Sequence, residues 1–212
     1  AKKLKHVSYG VVKLQEGKMS SRLGNIILYE DFKEKLLSTV ENLIKDREFS
    51  SKKKDEIIQK VAFGAMKFTM LNQDSHKEIV FDYNRALSFD GETGPYCQYT
   101  YARINSILKK YESKIDDKID YSLLNKEEDK EILKIIKSFP QVVKDAGDNY
   151  KPSLITRSVL DLCQAFNLYY HKHKVLQDDK KLEKARILLI YSVKQVIDIG
   201  LNLLGIEAPD EM

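Results

Sequence analysis

At 212 residues, with 42% hydrophobic and 32% charged residues, the chain has the composition of an ordered globular protein with material for one large or two small cores. No apolar run approaches the roughly 18 to 20 residues that span a bilayer, and the Lys-rich start leads into His6 and Ser8 instead of the apolar segment of a secretion signal. The 36 basic and 32 acidic residues leave a net charge of +4, so any nucleic-acid surface has to come from local clustering of cations and not from bulk charge.

The clustering begins at once. Residues 1–30 hold Lys2, Lys3, Lys5, Lys13, Lys18 and Arg22 against Glu16 and Glu30, which accounts for the whole excess. The chain opens on Ala1, as an excised piece of a longer protein would. Residues 6–12, His-Val-Ser-Tyr-Gly-Val-Val, predict a short β-branched and aromatic strand. The loop after it, residues 15–25, is polar and bracketed by Gly17 and Gly24. With Lys18 as a point charge and Ser20 and Ser21 as donors it can wrap phosphate oxygens. A solvated hairpin fits the same residues.

Helical spacing of Phe32, Leu36, Leu37, Val40, Leu43 and Ile44 predicts a helix over 30–46, with Glu30 and Asp31 in its first turn. A Ser/Lys-rich break at 50–54 precedes a second helix over about 52–72. Gly64 lies inside it, which costs helix propensity and implies close packing against a neighbour. Ile79–Phe81 is too short to expect a core strand, and Asp82 to Gly91 has no helical period. Thr93 then reads as an N-cap with Pro95 in the first turn, opening a helix to about Ser113. Its apolar seam is Cys97, Tyr101, Ile104, Leu108 and Tyr111, while Tyr96, Tyr99, Arg103 and Lys110 fall on another stripe. Rings beside a guanidinium suit stacking on unpaired bases. They also suit half-buried packing with wet hydroxyls.

The rest reads as helices. Glu127–Lys137 forms one, Pro140 restarts the chain, and a short apolar face ends near Gly147. Lys151-Pro152-Ser153 opens another, and a last helix over about 178–204 stops at Gly205. Four or five such helices with short connections make an antiparallel bundle. Cys97 and Cys163 sit on apolar faces without ligand neighbours, as buried free thiols of a reducing compartment do. His171 and His173 fall near a helix C-terminus, where positive charge is favoured. No metal site is expected.

Two runs carry a family resemblance. Lys18-Met19-Ser20-Ser21-Arg22 resembles the Lys-Met-Ser-Lys-Ser loop of class I aminoacyl-tRNA synthetases, in the Lys-Met-Ser-x-Arg form of arginyl enzymes. Ala86-Leu87-Ser88-Phe89, Gly91-Glu92-Thr93-Gly94-Pro95-Tyr96, Gln98-Tyr99 and Ala102-Arg103-Ile104 resemble the arginyl-tRNA synthetase pattern at the junction to its anticodon-binding domain. Phe166-Asn167-Leu168-Tyr169-Tyr170 with Val175-Leu176, and the ending Leu204-Gly205-Ile206-Glu207-Ala208-Pro209 with Met212, are similar to later motifs of that domain.

The resemblance covers the whole chain. It implies a mainly α fold: residues 1–91 as the end of a catalytic domain with a short β-hairpin and loop remnant, and 92–212 as a helical anticodon-binding bundle. It further implies that Lys18, Met19 and Ser20 serve arginine activation, with Lys18, Ser20, Ser21 and Arg22 on the ATP phosphates. Ser21 stands where the second lysine of the loop is usual, which places the charge on Lys18. Tyr96, Tyr99, Arg103, Tyr170 and Met212 are implied to bind tRNA(Arg). Asp210-Glu211 replaces a commoner Glu-Arg before that Met. ATP with Mg2+ and arginine are expected to bind mainly to a catalytic domain lying outside this chain, because neither a His-Ile-Gly-His-type motif nor a run of βαβ units is present. The isolated chain is therefore expected to be inactive, and the parent enzyme to be a cytoplasmic monomer. A cysteinyl enzyme of the same class, or a helical module that binds RNA or protein without catalysis, remains open at this point.

Overall fold

The computed structural model describes residues 4–14 and 28–212, so the Lys18–Arg22 loop, with Lys18, Met19, Ser20 and Ser21, lies outside the described residues. Among the described residues the fold is mainly helical. It comprises β1 (Val12–Leu14), α1 (Tyr29–Leu43), α2 (Ser51–Leu71), β2 (Ile79–Phe81), α3 (Tyr83–Ala86), α4 (Gly94–Lys109), α5 (Glu127–Asn149), α6 (Ser153–Lys172) and α7 (Lys180–Leu203).

The strand expectations need correction. β1 does not pair in a hairpin but runs parallel to β2, with Val12 opposite Ile79 and Leu14 opposite Phe81. Parallel strands require a long crossover, which α1 and α2 supply. Only the end of the 6–12 segment reaches this ladder, and β1 extends instead to Leu14. Three residues suffice for β2 because Ile79 and Phe81 are both buried, Phe81 in a cluster with Leu36, Val40, Val61 and Ala65. The 82–91 stretch also contains a helical turn that periodicity missed. Asp82 caps it by accepting from the amides of Asn84 and Arg85 at 2.8 and 3.1 Å, and four residues are too few to show a period.

α4 starts as its sequence dictates. Thr93 Oγ1 accepts from Tyr96 N at 3.1 Å and donates to Ser88 O at 2.6 Å, tying the connecting stretch to the first turn. The helix ends at Lys109, four residues earlier than expected. Its seam holds at Cys97, Tyr101 and Ile104, then continues at Ile107, with Leu108 and Tyr111 half-buried. The implied reason for Gly64 is borne out and has a partner. A Cβ on Gly94 would stand 2.5 Å from Gly64 O, so α2 and α4 cross backbone to backbone.

α5 runs unbroken through Pro140, against the expected restart. The proline forfeits one helical hydrogen bond, but it sits on the exposed side of the helix while Phe139 beside it is buried in the core. α4, α5, α6 and α7 enclose one core built around Ile104, Ile132, Phe166, Tyr169 and Ile190, and Phe68 of α2 enters it as well. Gly205 takes φ +67 at the end of α7, as a helix stop does. Cys97 and Cys163 are fully buried free thiols within this core, and burial pushes the Cys97 thiol well above its ordinary range.

Candidate nucleic-acid interface

α4 carries Tyr99 and Arg103 within one stripe of its 3.6-residue period, and Lys110 at its C-cap continues that stripe. The Arg103 guanidinium stands 4.7 Å from the ring centroid of Tyr99 and 5.7 Å from that of Tyr170 on α6, a cation between two aromatic faces. Tyr170 in turn stacks on Phe166 at 5.9 Å, and Phe89 of the connecting stretch meets Tyr99 edge-on at 6.3 Å. These rings are fixed from behind and open in front: Tyr170 is 41% exposed.

Arg103 is also held by a side chain whose role the sequence did not reveal. Its Nη1 donates to Asn167 Oδ1 at 2.7 Å. Asn167 Nδ2 donates to the Tyr96 hydroxyl at 2.9 Å and to Thr100 Oγ1 at 3.0 Å, so one amide joins α4 to α6. The signal available was its spacing: Asn167 lies three residues before Tyr170 on the same helical face. Tyr96 thus stands behind the site. It is half-buried, and burial is the main cause that raises its phenol above the ordinary range, against the opposing bond from Asn167.

Met212 reaches the site because the tail after α7 is laid along α4 by two buried amides. Gln98 Nε2 donates to Lys60 O at 2.9 Å and Glu207 O at 2.7 Å. Asn105 Nδ2 donates to Asp210 O at 2.9 Å, and its Oδ1 accepts from Lys194 at 2.7 Å. Lys67 bonds Gly205 O, and Lys53 pairs with Glu211. The tail therefore has a fixed register, and its last residue packs on the edge of the α1/α2 cluster.

The outcome is a cavity of about 450 Å³ in which Tyr99, Arg103, Tyr170 and Met212 converge, with Arg47 and Phe49 from the α1–α2 connection across from them. Tyr96 does not line it. Arg47 and Phe49 escaped sequence reading because that connection looked like a simple helix break. The neighbouring Tyr169 points the other way: it is fully buried, and burial pushes its phenol far up. At the end of α6, Glu128 accepts from Lys172 at 2.5 Å and His173 at 3.2 Å. The Lys172 bond, the backbone and His173, in that order, lower its carboxyl to about 2.

Rings and a fixed cation around an open, base-sized cavity can stack an unpaired base and offer hydrogen bonds to its edge or its phosphate. Among the described residues no group of three or more His, Cys, Asp or Glu side chains could hold a metal ion, and no helix is long and apolar enough to cross a membrane.

Comparison with known proteins agrees with this geometry. Residues 97–212 match the DALR anticodon binding domain. The chain is 42% identical over 207 residues to the arginine–tRNA ligase of Halothermothrix orenii, covering 98% of this chain and 37% of that protein. It is 41% identical to that of Clostridioides difficile, over all of this chain and 38% of that protein. Among solved structures, the arginyl-tRNA synthetase of Thermus thermophilus superimposes with a TM-score of 0.82 at 30% identity, over 96% of this chain and 35% of that one. The chain thus spans a little over a third of the length of the relatives it matches.

Proposed function

Because the chain belongs to the DALR anticodon-binding family, in the form carried by arginyl-tRNA synthetases, we propose that the cavity between α4, α6 and the C-terminal tail binds the anticodon loop of tRNA(Arg). The observation that supports this reading most directly is Arg103 held between the faces of Tyr99 and Tyr170 in an open cavity. Tyr99 and Tyr170 stack on splayed bases, Arg103 supplies a permanent cation with directed donors, and Met212 packs its thioether against a base face. Tyr96 acts from behind, through Asn167.

In the whole enzyme, arginine is activated with ATP and then transferred to the terminal adenosine of the tRNA. The Lys18-Met19-Ser20-Ser21-Arg22 run supports a second role for this chain, in which Lys18, with donors from Ser20, Ser21 and Arg22, neutralises charge developing on the ATP phosphates. Mg2+ accompanying the nucleotide is assigned to the parts of the enzyme outside this chain. The boundary between the two roles is placed after Gly91, and the working form is a cytoplasmic monomer.

The test is separate replacement of Tyr99 and Arg103 by alanine, with titration against a labelled anticodon stem-loop. Each lost contact should weaken binding by about 1 to 3 kcal/mol, with the melting temperature nearly unchanged for the partly exposed Tyr99 and lowered for Arg103, which also loses its bond to Asn167. Loss of stability with full affinity per folded molecule would assign these groups to packing and overturn the reading.

A further inference from the structure

The cavity at Arg103 is one end of a longer groove. Arg103, Ile107, Lys110 and Tyr170 line both that cavity and a second one of about 820 Å³. The second is walled on its far side by the connector between α6 and α7, through Lys174, Val175 and Leu176. The two volumes differ in chemistry. The first combines rings with the terminal Met and two acids, Glu48 and Glu211. The second has no carboxylate in its lining, and its ionisable groups are Arg103, Lys110, Lys174, His171, His173 and the Tyr170 phenol.

The lysines here are not spent on the protein. Among the described residues no ion pair involves Lys110 or Lys174, whereas nearby Lys172 and Lys180 are taken by Glu128 and Glu183. Lys110, at the C-cap of α4, follows Arg103 by seven residues and continues its face, about 10 Å along the axis. Lys174 faces the groove from the opposite wall. The carboxylates of Glu112, Asp178 and Glu183 lie beyond, in an adjoining cavity that the same two lysines also line. Within the second cavity itself a positive charge thus stands on either side of a carboxylate-free lining, next to the rings, as suits the sugar-phosphate strand that carries stacked bases.

We propose that this groove, with Lys110 and Lys174 as its phosphate contacts, holds the backbone of the RNA strand leaving the base-stacking cavity. The assignment rests on the anticodon-loop reading above and extends it from bases to backbone. Base contacts at Tyr99 and Tyr170 then select the loop, and the lysines fix its direction without reading sequence.

The experiment titrates this chain and its Lys110→Gln/Lys174→Gln double variant with a labelled tRNA(Arg) anticodon stem-loop across a series of KCl concentrations. It is repeated with a stem-loop whose anticodon bases are substituted. Removing two phosphate contacts should reduce the slope of log K against log salt by about 1.4, at about 0.7 per contact to unpaired RNA. The affinity ratio between the two stem-loops should stay the same. Both lysines are exposed, so thermal melting should coincide with that of the unaltered chain. An unchanged slope, while Tyr99→Ala still weakens binding, overturns the groove and leaves the anticodon reading standing. A collapsed affinity ratio shows that the lysines read bases and also overturns it. If Tyr99→Ala and Arg103→Ala have no effect, the anticodon reading fails and the groove proposal falls with it.

Discussion

Replacing Asn167 by alanine removes three hydrogen bonds at once: the acceptor of Arg103 at 2.7 Å and the donors to Tyr96 and Thr100 at 2.9 and 3.0 Å. A hydrogen bond to a charged group is worth about 1.5 to 3 kcal/mol and a neutral one about 0.5 to 1.5. Arg103 is half-exposed, so water replaces part of its bond, and Thr100 keeps its own bond to Tyr96 O at 2.9 Å. The net loss should be about 2 kcal/mol, or about 4 to 8 °C in melting temperature for a chain of this size. Binding should suffer separately. Once released, the guanidinium has to be ordered again in the complex, at about 1 kcal/mol, which corresponds to roughly fivefold weaker binding of the anticodon stem-loop. Asn167→Asp separates the two effects. A carboxylate keeps Arg103 in place and recovers stability, but it cancels the charge offered to RNA. By fluorescence anisotropy the Asp variant should therefore bind more weakly than the Ala variant while melting higher. An Asp variant that binds as tightly as the unaltered chain would refute the argument that Asn167 presents Arg103 as a free cation.

Gly94→Ala should cost about 1 to 3 kcal/mol, because the new Cβ would stand 2.5 and 2.8 Å from backbone atoms of Gly64 and 2.9 Å from Phe68 Cβ. Gly147→Ala meets nothing within 4 Å and should instead gain up to about 1 kcal/mol of helix propensity, so urea melts of the pair that move in the same direction would contradict the backbone-crossing account. Glu128 gives a pH dependence: with its carboxyl lowered to about 2 by Lys172, the backbone and His173, it adds stability above the ordinary carboxylate range near pH 4.3 and loses it as pH falls from there toward 2. Glu128→Gln should thus melt lower at pH 7 and converge with the unaltered chain near pH 2; parallel curves throughout would rule this out.

Much of the fold was legible where local chemistry acts alone. Thr93 caps α4, Gly205 stops α7, and Cys97, Tyr101 and Ile104 form the buried seam, because caps and helical periods need only neighbours within a few residues. The misses share a cause. β2 looked too short until its partner β1 arrived from 67 residues away. Pro140 looked like a break until packing of Phe139 and the continuing helix outweighed one lost hydrogen bond. Tyr169 and Tyr170 look alike in sequence, yet one fills the core and the other faces solvent. Their positions differ by about 100° on the helix, and only the location of the core gives that angle a meaning.

The candidate site divides the same way. The stripe of Tyr96, Tyr99, Arg103 and Lys110 suits stacking on unpaired bases and half-buried packing alike, and it was the family resemblance of the motifs that implied Tyr96, Tyr99, Arg103, Tyr170 and Met212. That Met212 lies beside Arg103, more than 100 residues earlier, follows from Gln98 and Asn105 fixing the tail's register. That Arg103 is clamped, and that a groove with a carboxylate-free lining continues from it to Lys174, follows from the packing of α6 on α4. Local propensity and pattern determine which groups each helix offers. Which of those groups meet is decided by contacts between distant segments, whose geometry exists only once the core has closed.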